Sequence, residues 1–431
     1  MTAVLDRPSA PAAPPASTGS RAAVVARAAL VVVAVAVVDD AFIHREPGTS
    51  VADHLAGGLL PAALAIALAV LYPRLRPGLR AVVALTSGSL AVVAGVVDGL
   101  RHVLVDRLSG DDLTALLALA AGVVLLALGI AGLWRSRRLD ESPLRRYGRR
   151  SLVAIAAVVA VYLVALPVAL AIVVNHKARS PVEPADLGAP YRELTLTTAD
   201  GLALAAWYAP SRNRAAVIVF PGRQGPVAHA RMLTRHGYGI LMLDRRGEGE
   251  SEGDYNARGW GGEGDLEAAV GYLARRDDVD AQRIGGLGLS VGGELLLQAA
   301  AGDARLRAVV SEGAGTQSLN DQLQTPDVPK ALRWLSPMTV ETAAGIVLAN
   351  RRPPPGLVDA VPRIAPRPVL LISGGEGNQD EELNAVYQQA GGPTVSSWEI
   401  PRAGHTGGLD AAPEEYERRV VGFFDRVLLG R

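Results

Sequence analysis

The first 175 residues alternate between long apolar stretches and short polar segments. Each stretch is close to the ~20 residues that an α-helix needs to cross the hydrocarbon core of a bilayer. Five such stretches in succession, separated by charged loops, favour membrane spans over the core of a soluble domain. They cover residues 22–38, 55–72, 79–97, 113–134 and 151–174. The pattern predicts a five-helix transmembrane region over residues 21–176, preceded by a disordered tail at residues 1–20 that is rich in Pro, Ala and Ser.

Arginine is distributed unequally between the loops that join these stretches. Twelve arginines lie in the N-terminal tail and in the loops after the second and fourth stretches, against three in the alternate loops. Because loops rich in Lys and Arg stay on the cytoplasmic side, the N-terminus is expected in the cytoplasm. Five spans then place everything after residue 174 outside. The sequence thus predicts a multi-pass cell-membrane protein with an extracytoplasmic C-terminal half and the lipid bilayer as a partner.

Three histidines, His44, His54 and His102, fall in the two predicted outer loops together with several aspartates. Imidazole and carboxylate groups are metal ligands, so a metal cluster is conceivable there. We interpret these histidines as solvated loop residues and predict no metal site.

The pattern changes after a Pro-containing linker at residues 177–190. Short apolar runs now alternate with helical segments at residues 227–236, 265–275 and 413–429. Alternation of this kind predicts a mostly parallel sheet with helices on both faces over residues 191–431, opened by an antiparallel hairpin. Eight strands are expected, at residues 191–197, 204–208, 216–220, 239–243, 283–289, 308–311, 368–373 and 395–400. An insertion of about fifty residues, 313–366, separates the sixth strand from the seventh.

Composition narrows the functions that this chain can perform. The 431 residues carry a formal net charge of zero and no basic run, which argues against nucleic-acid binding. The chain has no cysteine, which excludes disulfides, thiol catalysis and cysteine-based metal sites. No cofactor is implied, and the oligomeric state is left open.

The segment Gly-Leu-Ser-Val-Gly at residues 288–292 lies between a predicted strand and a predicted helix. It fits the G-x-S-x-G pattern, in which a tight turn holds the serine hydroxyl clear of the sheet. With 47 glycines in the chain, the pentapeptide alone is weak evidence. Its value depends on the segments around it.

Three further segments accompany the pentapeptide in a fixed order. Phe-Pro-Gly-Arg-Gln-Gly at residues 220–225 follows the third strand, and Asp-Arg-Arg-Gly-Glu-Gly-Glu-Ser at 244–251 follows the fourth. Pro-Arg-Ala-Gly-His-Thr-Gly at residues 401–407 follows the last. With these segments, residues from about 190 to the end resemble an α/β-hydrolase, although Pro221 replaces the histidine usual in the first segment.

The resemblance implies roles for individual residues. Ser290 is the expected nucleophile and His405 its base, and the backbone N–H groups of Val291 and Arg223 are expected to form the oxyanion hole. The triad acid should follow the seventh strand. Glu376 is preferred because it is nearest the strand end. Asp380 is the alternative, although it could equally cap the next helix.

Other polar residues of these segments are assigned no catalytic role. Asp244, Arg246 and Ser251 are expected to hold the loop after the fourth strand. His229 and His236 are interpreted as ordinary helix residues.

The expected activity is hydrolysis of carboxylic esters by a membrane-anchored serine hydrolase, through an acyl-enzyme intermediate and with a small ester or amide as substrate. A peptidase or thioesterase of the same fold is the nearest alternative. A non-catalytic module for binding or sensing at the membrane is the alternative from another class. The insertion at residues 313–366 is expected to form a lid that sets specificity.

Overall fold

The computed structural model describes residues 18–100, 110–135, 142–176, 186–222, 225–325, 328–376 and 379–431. The predicted N-terminal tail before Thr18, the first nine residues of the predicted linker, His102 and Arg223 lie outside these ranges.

The N-terminal region is a bundle of apolar helices. Among the described residues, five segments are long and apolar enough to cross a membrane: Arg21–Ile43, Val51–Arg74, Pro77–Gly99, Leu113–Trp134 and Pro143–Asn175. The helices are α1 (Thr18–Val38), α2 (Leu55–Leu71), α3 (Pro77–Ala94), α4 (Gly110–Arg135), α5 (Pro143–Ala160) and α6 (Leu166–Asn175), the last two joined by a π-helical turn. The five predicted apolar stretches therefore all form helices.

Small residues let these helices approach closely. At the contact of α3 with α4, a methyl group added to Gly88 would lie 2.9 Å from the carbonyl oxygen of Gly122. Small residues at such contacts allow the van der Waals packing that holds membrane helices together. The outward faces remain apolar, since Leu64, Leu117 and Val158 are all exposed.

The C-terminal region contains the predicted sheet. Its described part has eight strands in the order β1-β2-β4-β3-β5-β6-β7-β8. Strand β1 pairs with β2, and β2 with β4, in antiparallel fashion, and the remaining pairs are parallel. The strands are β1 (Arg192–Thr197), β2 (Ala203–Ala209), β3 (Ala216–Phe220), β4 (Gly239–Leu243), β5 (Ile284–Leu289), β6 (Leu306–Glu312), β7 (Val369–Gly374) and β8 (Val395–Ile400). The predicted eight-stranded, mostly parallel sheet is confirmed.

Helices cover both faces of this sheet, which explains why β3, β4 and β5 are apolar and buried along their whole length. One hydrophobic core includes Leu266 and Leu295, and the core on the other face includes Leu233 and Phe424. The main covering helices are α7 (Val227–Arg235), α8 (Glu263–Ala274) and α9 (Val291–Gly302). The insertion contains α10 (Leu319–Leu323), α11 (Val328–Ala349) and α12 (Leu357–Ala360), and after it come α13 (Asn384–Gly391), α14 (Gly408–Ala411) and α15 (Pro413–Phe424).

The insertion between β6 and β7 is helical and contacts the membrane-type helices. Its longest helix, α11, packs against α6 and also against α2. Asn350, which follows α11, donates from its side chain to the carbonyl of Ala52 at 3.3 Å. A loop of the C-terminal region also meets α6 directly, because Asn256 donates to the side-chain oxygen of Asn175 at 2.8 Å. The insertion thus forms part of the junction between the two regions.

A cavity of about 210 Å³ lies at this junction. Its wall combines apolar residues of the helices with polar residues, among them Asp40, His44, His54, Asp98, His176 and Asp254. Neither Ser290 nor His405 lines it. Among the residues that the structure describes, no three His, Asp or Glu side chains are grouped so that they could hold a metal ion.

Candidate active site

Ser290 lies in the sharp turn between β5 and α9. Its φ and ψ angles are 53° and −127°, a conformation that side-chain-bearing residues rarely adopt. The backbone N–H of Ser290 donates to the carbonyl of Glu312 on the neighbouring strand β6 at 2.7 Å. Pairing with β6 thereby fixes a strained turn that presents the hydroxyl at the carboxyl edge of the sheet.

The glycines on either side of Ser290 are required by close backbone contacts. A methyl group added to Gly288 would lie 2.4 Å from the carbonyl oxygen of Gly292, and one added to Gly292 would lie 2.6 Å from that of Phe220. Such distances are too short for any side chain. The Gly-x-Ser-x-Gly spacing therefore follows from how tightly β3, β5 and α9 meet.

His405 lies in the loop between β8 and α14 and faces Ser290. Its Nε2 atom is 2.9 Å from the Ser290 hydroxyl oxygen. The two residues are 115 positions apart in the chain and meet because β5 and β8 end at the same edge of the sheet. The pairing that the resemblance implied for Ser290 and His405 is thus present in the geometry.

The carboxylate that holds His405 is Glu381. Its Oε1 atom is 2.7 Å from Nδ1 of His405, and its Oε2 accepts from the backbone N–H of Gly374 at 2.8 Å. With Nδ1 donating to Glu381, Nε2 is left as the acceptor for the Ser290 hydroxyl. Glu381 is 3% exposed, so little water competes for its oxygens.

This arrangement corrects the predicted acid. Glu376 lies in the turn directly after β7, where it is exposed, and its backbone N–H donates to Ala403. The backbone of Asp380 belongs to the 3₁₀ turn Gln379–Leu383, while its side chain lies outside the described residues. Glu376 is thus exposed directly after the strand, whereas Glu381 is buried against His405.

No apolar period in the sequence marks Glu381. In a helical turn, residues three positions apart lie on the same face, so Glu381 shares the inward side with Asn384, which is buried, whereas Glu382 is exposed. Because Asn384 is polar, the neighbouring residues do not distinguish Glu381 from the acids on either side of it.

Of the two predicted oxyanion donors, one is described. Val291 is the first residue of α9 and is buried. A backbone N–H in the first turn of a helix has no acceptor within that helix, so this donor is available to an anion. Arg223 lies outside the described residues, and its role stays a prediction.

The segment after β4 makes internal contacts that suit the structural role expected of it. Arg246 is buried and paired with Asp265, with its Nε 2.8 Å from a carboxylate oxygen. Ser251 donates to the carbonyl of Asp244 at 2.8 Å. Burial raises the pKa of Asp244 to about 7, helped by the nearby charges of Glu248 and Glu250.

A second carboxylate–imidazole pair lies beneath the elbow and was not predicted. Glu312 and His229 are both buried, and Nε2 of His229 is 3.6 Å from Oε2 of Glu312. His236, by contrast, lies at the surface, 2.7 Å from Glu417. The two histidines of this segment, which looked alike in the sequence, have different surroundings.

The chain is similar to several known proteins of the α/β-hydrolase fold. Residues 181–360 match the profile of the X-Pro dipeptidyl-peptidase (S15) family. The α/β-hydrolase domain-containing protein WAV2 of Arabidopsis thaliana is 26% identical over 262 residues, which cover 57% of this chain and 82% of WAV2. A polyketide transferase, GrgF of Penicillium, is 33% identical over 132 residues. These residues cover 28% of this chain and 44% of the transferase. The esterase Pf2001 of Pyrococcus furiosus superposes with a TM-score of 0.47 at 22% identity, covering 58% of this chain and 98% of the esterase.

The strand order, together with the profile match and the similarity to WAV2, identifies residues 191–431 as a domain of the α/β-hydrolase fold, behind a region with five candidate membrane spans. Within that class, the matched family is of the serine-hydrolase type.

Proposed function

We propose that this protein is a membrane-anchored serine hydrolase that cleaves carboxylic esters, with Ser290, His405 and Glu381 as its catalytic triad. The observation that carries the proposal is the continuous hydrogen-bonded chain from Glu381 through His405 to Ser290, with contacts of 2.7 and 2.9 Å. A serine hydroxyl is a weak nucleophile unless an adjacent base takes its proton, and His405 is placed to do so.

The reaction proceeds in two halves. In the first, Ser290 Oγ attacks the carbonyl carbon while His405 Nε2 takes its proton, and the resulting oxyanion binds at the Val291 N–H. The proton then passes from His405 to the departing alcohol, which leaves an acyl-serine. In the second half, His405 takes a proton from water, the hydroxide attacks the acyl-serine, and Ser290 recovers its proton as the acid departs. Glu381 stabilises the charged imidazolium in both halves.

A peptidase is the second candidate, because the matched family is described as X-Pro dipeptidyl-peptidases. The same triad would cleave an amide by the same two steps. The full-length protein should therefore be assayed with p-nitrophenyl esters from acetate to palmitate and, in parallel, with a Gly-Pro p-nitroanilide. Ester turnover that disappears in Ser290→Ala supports the first proposal. Faster turnover of the anilide, equally dependent on Ser290, would replace esters by peptides.

A fluorophosphonate probe separates an enzyme from a non-catalytic module. Labelling of wild type that is lost in Ser290→Ala, with unchanged thermal unfolding, is the expected result. Absence of labelling in the folded wild-type protein would favour a binding or sensing module.

We further propose that the five apolar helices span the membrane and place the hydrolase domain outside. Support comes from two features: no more than 33% of any span is buried within the protein, and arginine is concentrated in alternate loops. Exposed apolar surface on this scale is stable in lipid but not in water. Protease added to intact cells should cleave after residue 176. Protection of this region in intact cells, with cleavage after lysis, would reverse the orientation.

A further inference from the structure

A buried carboxylate occupies the centre of the sheet edge where the candidate triad is assembled. Glu312 is the last residue of β6, and it pairs in register with Leu289 of β5 on one side and Ile372 of β7 on the other. Its neighbours therefore lead directly into the serine elbow and into the loop that carries Glu381. Glu312 itself is 1% exposed, so the mechanism above gives it no contact with substrate.

The hydrogen bonds of Glu312 connect separate parts of the site. Its backbone carbonyl accepts from Ser290 at 2.7 Å. Its Oε1 atom accepts from the backbone N–H of Gly408 at 2.8 Å, three residues after His405. Its Oε2 atom accepts from the Tyr416 hydroxyl at 2.6 Å and faces His229 on α7, the helix that follows the predicted oxyanion loop. One residue thus contacts the serine turn, the histidine loop and α7.

The groups around Glu312 favour its charged form and leave room for its carboxylate. Burial alone would raise the pKa of Glu312, but His229, Tyr416 and the Gly408 N–H together hold this pKa below its usual value. A methyl group added to Gly408 would lie 2.8 Å from Oε1 of Glu312, so a glycine at this position admits the carboxylate. The next residue, Gly313, is in turn close to the His405 ring: an added methyl group would lie 3.0 Å from its Cε1 atom.

We propose that Glu312 is a positioning residue for the hydrolytic reaction: its buried carboxylate holds the His405 loop in register with the Ser290 elbow, and its negative charge favours the imidazolium that forms on His405. This inference rests on the proposed hydrolase function. It predicts that loss of the charge impairs turnover more than substrate binding, because the groups that move are those that react. Loss of a nearby negative charge also lowers the pKa of an imidazole.

The test compares Glu312→Gln with wild type in the full-length, detergent-solubilised protein, using p-nitrophenyl acetate between pH 5 and 9. Glutamine keeps the size and one acceptor for Gly408 but removes the charge. Asp278→Asn is the matched control. Asp278 also accepts from a tyrosine hydroxyl, that of Tyr208 at 2.6 Å, and from a backbone N–H, that of Ser211 at 2.9 Å. It lies at the opposite edge of the sheet, beyond the end of β2.

For Glu312→Gln, kcat should fall roughly 10- to 100-fold with KM changed by less than about threefold, since a small misplacement of reacting groups has effects of this order. The acid limb of its kcat/KM profile should move to lower pH. Asp278→Asn should lower the unfolding temperature but leave kcat and the acid limb in place. If Glu312→Gln matches the control in all three quantities, Glu312 only stabilises the fold and the inference is overturned.

A second variant keeps the test decisive if Glu312→Gln does not fold. Gly408→Ala retains the carboxylate but crowds it, so kcat should fall while the acid limb stays at its wild-type pH. Unchanged kcat in Gly408→Ala would overturn the positioning role. Failure of the proposed function gives a different result, because wild type would then neither turn over the ester nor take up a fluorophosphonate at Ser290.

Discussion

Carboxylates lie next to imidazoles both at the junction with the helical region and at the sheet edge, but the distances between the two groups differ. At the junction end of the helical region, His54 lies 3.6 Å from Asp254 and His176 lies 3.7 Å from Asp40, beyond normal hydrogen-bond distance. At the sheet edge, Glu381 lies 2.7 Å from His405 and is almost fully buried. These two junction pairs are therefore about 1 Å longer than the pair at the candidate active site.

The difference originates in the backbone that carries each pair. The junction residues come from helix ends and loops that line the cavity. Glu381 and His405 follow adjacent strands, β7 and β8, and a backbone hydrogen bond from Gly374 fixes the carboxylate. Hydrogen-bonded strands define positions to a fraction of an ångström, which acyl transfer requires. The comparison teaches that a carboxylate close to an imidazole forms the geometry of a triad where adjacent strand ends and a backbone hydrogen bond fix both groups.

The largest expected effect comes from breaking the tight pair. Glu381→Gln should lower kcat for p-nitrophenyl acetate by about 10³- to 10⁴-fold, because the imidazole loses both its tautomer control and its counter-charge. Glu376→Gln, at the exposed position in the same turn, should stay within about twofold of wild type. Both are measured in the full-length protein at saturating ester. The reverse ranking of the two variants would restore the acid expected from the sequence.

A second prediction tests whether packing in the helical region is separate from the site. Gly122→Leu would force apart α3 and α4 at their contact with Gly88, at a cost of about 1–3 kcal/mol for overpacking. The midpoint of thermal unfolding in detergent should fall, while kcat below that midpoint stays at the wild-type value. Gly148→Leu is the control, since an added methyl group there would meet no atom within 4 Å. A matching loss of kcat in Gly122→Leu alone would show that the helical packing shapes the active site.

A third prediction concerns a carboxylate of the hydrolase domain whose surroundings disfavour its charge. Burial raises the pKa of Asp244 from 3.8 to about 7. Between these two values the folded protein binds a proton that the unfolded chain has released, so Asp244 lowers stability as pH rises through this window. Asp244→Asn cannot titrate. We compare the free energy of unfolding in urea of this variant and of wild type at two pH values. The difference, variant minus wild type, should be larger at pH 7.5 than at pH 4.5 by roughly 1–3 kcal/mol. A constant difference at the two pH values would contradict the shifted pKa.

The smallest effect is expected from breaking a loose pair. Asp254→Asn removes the partner of His54 at the junction, and an ion pair of this length and exposure contributes at most about 1 kcal/mol. Stability should therefore change little, and ester turnover should not change. A tenfold loss of turnover in this variant would instead reveal coupling between the junction and the triad.

The periodicity of apolar residues was sufficient to predict the architecture. Five apolar stretches became five long helices, and eight short runs became the eight described strands. Ser290 and His405 could be recognised because each lies in a short glycine-containing motif that directly follows a predicted strand. These features depend on contacts between residues close in the chain or on a simple period, which a sequence displays directly.

Glu381, Glu312 and the junction could not be assigned in this way. Which of several acids after β7 turns inward depends on the path of a short loop, and a carboxylate at any of these positions has the same local pattern. The link from Glu312 to Gly408 spans 96 residues. The packing of α11 against α6 joins elements that are remote in the chain and have similar apolar composition.

The sequence by itself determined the elements, their order and the residue types available for chemistry, because these follow from the period of burial and from backbone constraints at glycine and proline. Only the tertiary structure decided which carboxylate meets His405 and which residue lies beneath both the elbow and the histidine loop. Such selections depend on differences of a few ångströms between strand ends, and those differences arise from the packed sheet rather than from any segment of it.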